Sequence, residues 1–217
     1  MALEIERKFL VVDASWRASC VRRERLVDGM LATSKGRKVR IRINGAHATI
    51  CIKSRKSARV RHEFEYPMPL ADAQHLIDND CRGEVLAKTR HFVPYAGFTW
   101  EVDVYETGQA SVTIAEVELP AEDVLPPLPP WVGREITGDA RFSKTALRMH
   151  KRNGDWRELA RLARRECVKP EAVLVSSSEA ESQNHRRRVP DGTARRFPRG
   201  GEASVVADSE RLQRALD

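Results

Sequence analysis

A charged side chain at every second position is the feature that most constrains how this chain folds. The segment Glu4-Ile-Glu-Arg-Lys8 carries charges at its first, third and fifth positions. Side chains of a β-strand alternate between two faces, so a strand here places Glu4, Glu6 and Lys8 on one face and Ile5 on the other. Taken alone, this pattern also fits a solvated strand at a protein surface.

The same alternation returns in six later segments that predict strands, at 37–43, 47–54, 60–66, 84–93, 98–106 and 111–119. One parity of these strands gathers eight acids and eight bases, namely Glu4, Glu6, Glu63, Glu65, Glu101, Asp103, Glu116 and Glu118 with Lys8, Lys38, Arg40, Arg42, Lys53, Arg61, Lys88 and Arg90. Like charges two residues apart repel, so the pattern indicates that something binds between them. A divalent metal suits the acids and a polyphosphate suits the bases.

Short strands with few helices between them predict an α+β protein that is mainly antiparallel β. Two arrangements remain open at this point. The charged face can point into a closed barrel, whose outer apolar face is then covered by helices predicted at 70–79 and 143–151. Alternatively the charges point outward around an apolar core, which residue counting favours modestly because burying charge is costly. Within 21–34, Asp28-Gly29 predicts a hairpin turn.

Composition narrows the class of partner. The 38 Lys and Arg outnumber the 31 Asp and Glu, a net charge of +7, which indicates a polyanionic substrate or partner. Both signs are abundant, so no specific nucleic acid is expected. The four cysteines form no CxxC pair, which argues against zinc and a disulfide framework. No apolar run reaches membrane-spanning length, so we expect no membrane association. We also expect a cytoplasmic location, and a monomer or homodimer.

The composition changes after about residue 152. An Arg-rich amphipathic helix is predicted at 155–167, and disorder is predicted from residue 176 because Ser, Gly, Pro and Arg dominate there. We therefore predict two parts, a tunnel domain at 1–152 and a basic C-terminal tail at 153–217.

An ordered set of motifs resembles the CYTH domain, the family of triphosphate tunnel metalloenzymes. The set comprises Glu4-Ile-Glu-Arg-Lys8, Val39-Arg-Ile-Arg42, Ile52-Lys53, Glu63-Phe-Glu65-Tyr, Lys88-Thr-Arg90, Trp100-Glu-Val-Asp103, Ala115-Glu-Val-Glu118 and Gly133-Arg-Glu-Ile-Thr137. The resemblance implies an eight-stranded closed antiparallel β-barrel with a charged lumen, a triphosphate-containing substrate, and Mg2+ or Mn2+ as cofactor.

The resemblance and the chemistry of these side chains together predict roles. The metal ligands are expected to be Glu4, Glu6, Glu116 and Glu118. The phosphate clamp is expected to be Lys8, Arg40, Arg42, Lys53, Lys88 and Arg90. One of Glu63, Glu65 or Asp103 would orient a metal-activated water that attacks the terminal phosphorus, and Lys88 would assist the leaving phosphate.

The leading prediction is metal-dependent hydrolysis of inorganic triphosphate or short polyphosphate. The alternatives are adenylate cyclisation or nucleoside or thiamine triphosphate hydrolysis, and a non-catalytic polyphosphate-binding module. The chain departs from the family pattern at Met30, where many short bacterial members have Tyr, and at Phe142 and Lys144, where Arg-Tyr-Ser-Asn is the more frequent sequence.

Overall fold

The computed structural model of the protein describes residues 3–81, 85–107 and 110–168. The strands are β1 (Leu3–Val11), β2 (Arg22–Ser34), β3 (Arg37–Asn44), β4 (His47–Arg55), β5 (Val60–Met68), β6 (Val85–Tyr95), β7 (Phe98–Thr107), β8 (Ala110–Glu118) and β9 (Val132–Glu135). The α-helices in these residues are α1 (Leu70–Asn79), α2 (Lys144–Asn153) and α3 (Trp156–Glu166). Short 3-10 helices span Ser15–Ser19 and Ala140–Phe142.

Eight of the strands close into a barrel. Their order is β5-β4-β3-β2-β6-β7-β8-β1, and β5 pairs with β1 to complete the ring. Every pairing is antiparallel, and β9 adds to β1 outside the ring. The predicted fold class, an eight-stranded closed antiparallel barrel with a charged lumen, is confirmed.

The hairpin predicted at Asp28-Gly29 is wrong. Strand β2 runs without interruption through both residues, paired with β3 on one side and β6 on the other. The glycine serves close packing instead of a turn, because a Cβ there would lie 2.7 Å from Sγ of Cys81. A local turn signal is therefore overridden by contact with the segment that follows α1.

The outer face of the barrel is apolar and covered, as predicted for charges that point inward. Helix α1 follows Pro69 and buries Ala73 and Ile77 against the outward-facing Ile41 of β3 and Ala48 of β4. On the opposite side, a cluster around Trp100 packs outside β1, β7 and β8. Its other buried members include Phe9, Trp16, Val117 and Trp131.

Helix α2 does not cover the outer face, contrary to the prediction. By strand alternation Leu10, Leu86 and Ile114 continue the inward-facing rows, but they are apolar, and they pack in one cluster with Leu147 of α2 and Trp156 of α3. The two helices therefore close one end of the lumen. We call this the closed end.

Caps and spacing in the sequence explain where these two helices lie. The Ser143 Oγ accepts the Ala146 N–H at 3.1 Å and begins α2, and Gly154, with φ of +75°, ends it. The buried residues of α3 recur at helical spacing, at Trp156, Leu159, Ala160 and Ala163. Because that stripe packs on the barrel end, α3 extends the folded body beyond α2.

Beyond α3 the described part of the chain ends at residue 168. The disorder predicted from residue 176 lies outside the described residues, and the predicted division of the chain near residue 152 stays a prediction. No helix in the described residues is long and apolar enough to cross a lipid bilayer.

Candidate active site

The lumen encloses a cavity of about 540 Å3. Exposed residues Leu3, His47 and Glu118 line it at the end opposite α2, so solvent reaches the cavity through that open end. Of the residues predicted to act, the structure places these on the cavity wall: Glu4, Arg40, Arg42, Lys53, Glu63, Glu65, Arg90, Glu116 and Glu118. The other four, Glu6, Lys8, Lys88 and Asp103, are not on that wall. Lys8 and Asp103 contact the wall residues Glu116 and Arg90. Behind them, Glu6 contacts Lys8, and Lys88 contacts Asp103.

Carboxylates face carboxylates across β8. Glu6 is the cross-strand partner of Glu118, and Glu101 is that of Glu116. Burial, together with the nearby charges of Glu4, Glu63 and Glu6, raises the pKa of Glu118. In residues 3–81, 85–107 and 110–168, no cationic side chain lies within 4 Å of Glu118.

The other three predicted metal ligands are paired with bases. The Lys53 ammonium lies 3.0 Å from Glu4, and the Lys8 ammonium lies 2.8 Å from Glu6 and 2.5 Å from Glu116. Burial alone would lower the pKa of Lys8, but the Glu116 and Glu6 carboxylates outweigh it and raise that pKa. Arg61 also pairs with Glu6. These pairs leave the charged wall close to balanced before any ligand binds.

The basic wall is built on β3, with a carboxylate from β2 behind it. Nε and Nη2 of Arg42 donate to the two oxygens of Asp28 at 2.7 and 3.0 Å, a bidentate pair. Arg40 is 4% exposed and donates to Glu65 at 2.9 Å, while its buried Nε has no hydrogen-bond partner among the described residues. A buried donor without a partner is costly, and an anion in the cavity is the kind of group that satisfies it.

Lys88, Arg90 and Asp103 form a buried triad between β6 and β7. Nε and Nη2 of Arg90 donate to Asp103 at 2.7 and 2.8 Å, and the Lys88 ammonium contacts the same carboxylate. Burial lowers the pKa of Lys88, and Asp103 offsets this only in part. Asp103 is fully buried and already bound by two cations, so it holds Lys88 and Arg90 in place.

Cys51 lies between the two acids of β5. Its Sγ and one oxygen from each of Glu63 and Glu65 all lie within 4.8 Å of one another. Burial and the adjacent Glu63 raise the pKa of the thiol to about 12, and the thiol donates to Glu63 at 2.9 Å. A protonated thiol is a poor nucleophile and a poor metal ligand. Cys51 therefore acts here as a small hydrogen-bond donor.

The sequence analysis misses three charged residues of the lumen, namely Glu24, Asp28 and Lys144. Glu24 of β2 lies on the cavity wall and accepts a hydrogen bond from Asn44 at 3.0 Å. Asp28 was assigned to a turn, although it shares strand parity with the lumenal Leu26. Lys144 lies on α2, outside any strand, and its ammonium reaches the cavity wall 3.9 Å from Glu116. Burial lowers the pKa of Lys144 well below its usual range; Glu116 offsets this in part, while Lys88, Lys8 and Arg40 add to it.

The donor set fits a divalent metal. The predicted ligands are four carboxylates on the adjacent strands β1 and β8, and Mg2+ and Mn2+ prefer hard oxygen ligands. Among the described residues, the group whose ligand atoms already lie within 4.8 Å of one another is a different one, Cys51 with Glu63 and Glu65. Glu118 has the character expected of a ligand, since it lacks a cationic partner in the described residues and its pKa is raised by burial and by three neighbouring acids. The thiol of Cys51 adds nothing to a hard-metal site, so the oxygen donors alone carry the fit.

Comparison with known proteins identifies the family. The CYTH domain matches residues 2–149, which is most of the chain. The chain belongs to the CYTH domain family. CYTH relatives include the inorganic triphosphatase of Acetivibrio thermocellus, 33% identical over 147 residues that cover 68% of this chain and 94% of the relative.

A second CYTH relative is the inorganic triphosphatase of Nitrosomonas europaea, 30% identical over 148 residues that cover 66% of this chain and 95% of the relative. Among solved structures, a crystal structure of an inorganic triphosphatase matches with 29% identity and a TM-score of 0.48, covering 69% of this chain and 96% of that one. The two curated relatives are each matched by this chain over nearly their whole length.

Proposed function

We propose that this protein hydrolyses inorganic triphosphate, or a short linear polyphosphate, with the help of a divalent metal. The observation that carries the proposal is a single cavity walled by carboxylates on one side and by Arg and Lys on the other. A metal-bound polyphosphate carries a cation that carboxylates can bind and phosphate oxygens that Arg and Lys can bind. Such a cavity therefore suits it as a ligand. The names of two CYTH relatives, both inorganic triphosphatases, support this choice of substrate.

Substrate binding requires an exchange of partners in the lumen. Arg40, Arg42, Lys53 and Arg90 reach the cavity but now contact protein carboxylates. Phosphate oxygens would replace some of those carboxylates, since guanidinium binds phosphate in the same bidentate fashion. Lys8 and Lys88 stand behind the wall and strengthen its positive potential.

Two of the proposed metal ligands, Glu4 and Glu116, would be released by that exchange, since Lys53 and Arg90 now contact them. Glu4, Glu6, Glu116 and Glu118 would hold Mg2+ or Mn2+ beside the phosphates. A metal bound there supplies charge neutralisation of the phosphate oxygens and a lower pKa for a water molecule.

The chain's own side chains then position the reaction. Glu63 or Glu65, both on the cavity wall, would accept a hydrogen bond from the attacking water. The water oxygen would bond to the terminal phosphorus while its proton passes by way of that carboxylate to solvent, the bridging P–O bond would break, and the pyrophosphate leaving group would carry away the bond's electron pair. Arg90 and Lys88, held by Asp103, would stabilise that developing charge.

One assay separates this function from its alternatives. Purified protein is incubated with Mg2+ or Mn2+ and tripolyphosphate, ATP or thiamine triphosphate, and the products are identified. We expect phosphate and pyrophosphate from tripolyphosphate, faster than phosphate from either nucleotide or thiamine substrate. Cyclic AMP from ATP would instead indicate a cyclase, and tight tripolyphosphate binding without turnover would indicate a binding module.

Paired variants test the clamp. Arg42→Gln removes a cavity cation and should raise KM for tripolyphosphate by about tenfold or more, because a hydrogen bond to a charged group is lost. Arg25→Gln is the matched control, since Arg25 is an exposed arginine on β2 next to β3. Equal KM values in the two variants would remove Arg42 from the clamp.

A further inference from the structure

Lys144 is placed where a substrate would end. It is the first residue of α2, the helix that closes one end of the lumen, and it lines the same cavity as Arg40 and Arg42. Two contacts fix the start of this helix. Ser143 Oγ accepts a hydrogen bond from the Ala146 N–H, and Thr145 Oγ1 accepts one from the Lys38 ammonium at 3.3 Å.

Lys144 has no close anionic partner of its own among the described residues. Its ammonium lies 3.9 Å from Glu116, too far for a hydrogen bond. The same carboxylate already accepts hydrogen bonds from Lys8 at 2.5 Å and from Arg90 at 3.1 Å. Three cations therefore meet at Glu116. Of these, Lys8 and Arg90 also have other carboxylates, Glu6 for Lys8 and Glu101 and Asp103 for Arg90, whereas Lys144 has no other within 4 Å in the described residues.

Such crowding is unfavourable without an anion. Like charges repel most strongly where burial reduces the screening by water, and Lys144 is largely buried, with 21% of its side chain exposed. A phosphate oxygen beside Lys144 would give this cation an anionic partner of its own. No other described carboxylate lies within 4 Å of the Lys144 ammonium to do so.

We propose that Lys144 binds the innermost phosphate group of the substrate, so that a linear triphosphate lies end-on in the lumen with one end against α2. This inference rests on the proposed function and adds to it a substrate-binding residue that comes from a helix and not from the barrel wall. It also assigns a role to a position where the chain departs from the more frequent Asn of similar sequences.

A competing role for Lys144 is simple charge balance for Glu116. The two roles differ in metal-free binding. A charge-balancing lysine affects the metal through Glu116 and leaves tripolyphosphate affinity in EDTA unchanged. A phosphate-binding lysine contributes to that affinity directly.

The test measures tripolyphosphate binding by isothermal titration calorimetry in EDTA, followed by steady-state kinetics with Mn2+. Lys144→Gln should raise Kd and KM by about tenfold or more, and Lys144→Arg should keep both within about threefold of wild type because it retains a charged donor. Lys56→Gln, at an exposed lysine after β4, is the matched control and should match wild type.

The outcomes are distinguishable. If Lys144→Gln binds tripolyphosphate with the Kd of the wild type, the proposed role of Lys144 is wrong and the proposed function still stands. Failure of the wild-type protein to bind tripolyphosphate, with or without metal, overturns both. A thermal unfolding curve for each variant verifies folding, and a loss of affinity in Lys144→Gln that Lys144→Arg restores supports the proposal.

Discussion

Glu6 and Glu118 lie directly opposite each other on β1 and β8, carboxylate beside carboxylate. Like charges at cross-strand positions destabilise a sheet by roughly 0.2–1 kcal/mol. Lys8 and Arg61 compensate Glu6, but no cation within 4 Å compensates Glu118 in the described part of the chain. The metal-free barrel therefore stores repulsion at the point where we propose that metal binds.

Removing that repulsion should stabilise the metal-free protein. We expect Glu118→Gln to raise Tm in EDTA by about 1 to 3 °C. Mn2+ should raise the Tm of the wild-type protein, because a ligand that binds only the folded state stabilises that state. In Glu118→Gln this rise should be smaller, because one metal ligand is lost. Differential scanning fluorimetry with and without Mn2+ measures both effects. Glu122→Gln, at an exposed acid after β8, should change neither. A full Mn2+ shift in Glu118→Gln would exclude Glu118 as a ligand.

Asp103 should matter more for stability than its charge alone suggests. It is fully buried and holds Lys88 and Arg90. Asp103→Asn leaves two buried cations without their main counter-charge, so we expect a loss of about 3–5 kcal/mol in the free energy of unfolding. Urea denaturation measures it, with the exposed Asp123→Asn as control. If Asp103→Asn retained full stability but lost turnover, the carboxylate would have a chemical role instead of a positioning role.

Gly29 should be intolerant of a side chain. An added Cβ would lie 2.7 Å from Cys81 Sγ and 3.0 Å from Ile77 Cγ1. Gly29→Ala should therefore destabilise the protein by about 1–3 kcal/mol through overpacking. In a double-mutant cycle, Cys81→Ala should recover part of that loss, since it removes the nearest atom. Additive effects of the two changes would mean that the clash with Cys81 is not the cause.

Acid should weaken the barrel through Glu63. Burial would raise the pKa of this carboxyl, but hydrogen bonding with Glu4 and the charge of Lys53 outweigh it and lower the pKa from 4.5 to about 2. A lowered pKa gives stability that is present above pH 4.5 and is lost as the pH falls towards 2.

The free energy of unfolding, measured in urea at intervals from pH 6 to pH 2.5, should therefore fall. The difference between wild type and Glu63→Gln should itself shrink by up to about 3 kcal/mol across this range. A constant difference would show that Glu63 keeps an ordinary pKa in the folded protein.

Strand parity was readable from the sequence because it is a local property. The alternation in Glu4-Ile-Glu-Arg-Lys8 fixes which side chains share a face, and closure of the barrel then brings those faces together. Residue counting cannot decide whether the charged face points into the barrel or to solvent. The cost of burying charge depends on which charges pair, and counting does not give the pairs. The family resemblance supplied what the counting lacked.

Two features depend on contacts that the sequence does not display. Lys144 enters the lumen because α2 docks on the end of the barrel, and nothing within α2 specifies that docking site. Asp28-Gly29 has the composition of a turn, yet contact with Cys81 explains the glycine. A partial signal existed for the closed end, because Leu10, Leu86 and Ile114 interrupt the charged rows with apolar residues.

A lumen closed at one end gives substrate and products a single shared route. A triphosphate bound end-on must leave as two fragments in sequence, because the fragment nearer α2 is blocked until the fragment nearer the open end has departed. Under the proposed function, the outer product would therefore behave kinetically as the first to dissociate. Added back to the reaction, the inner product would compete with fresh substrate for the empty protein.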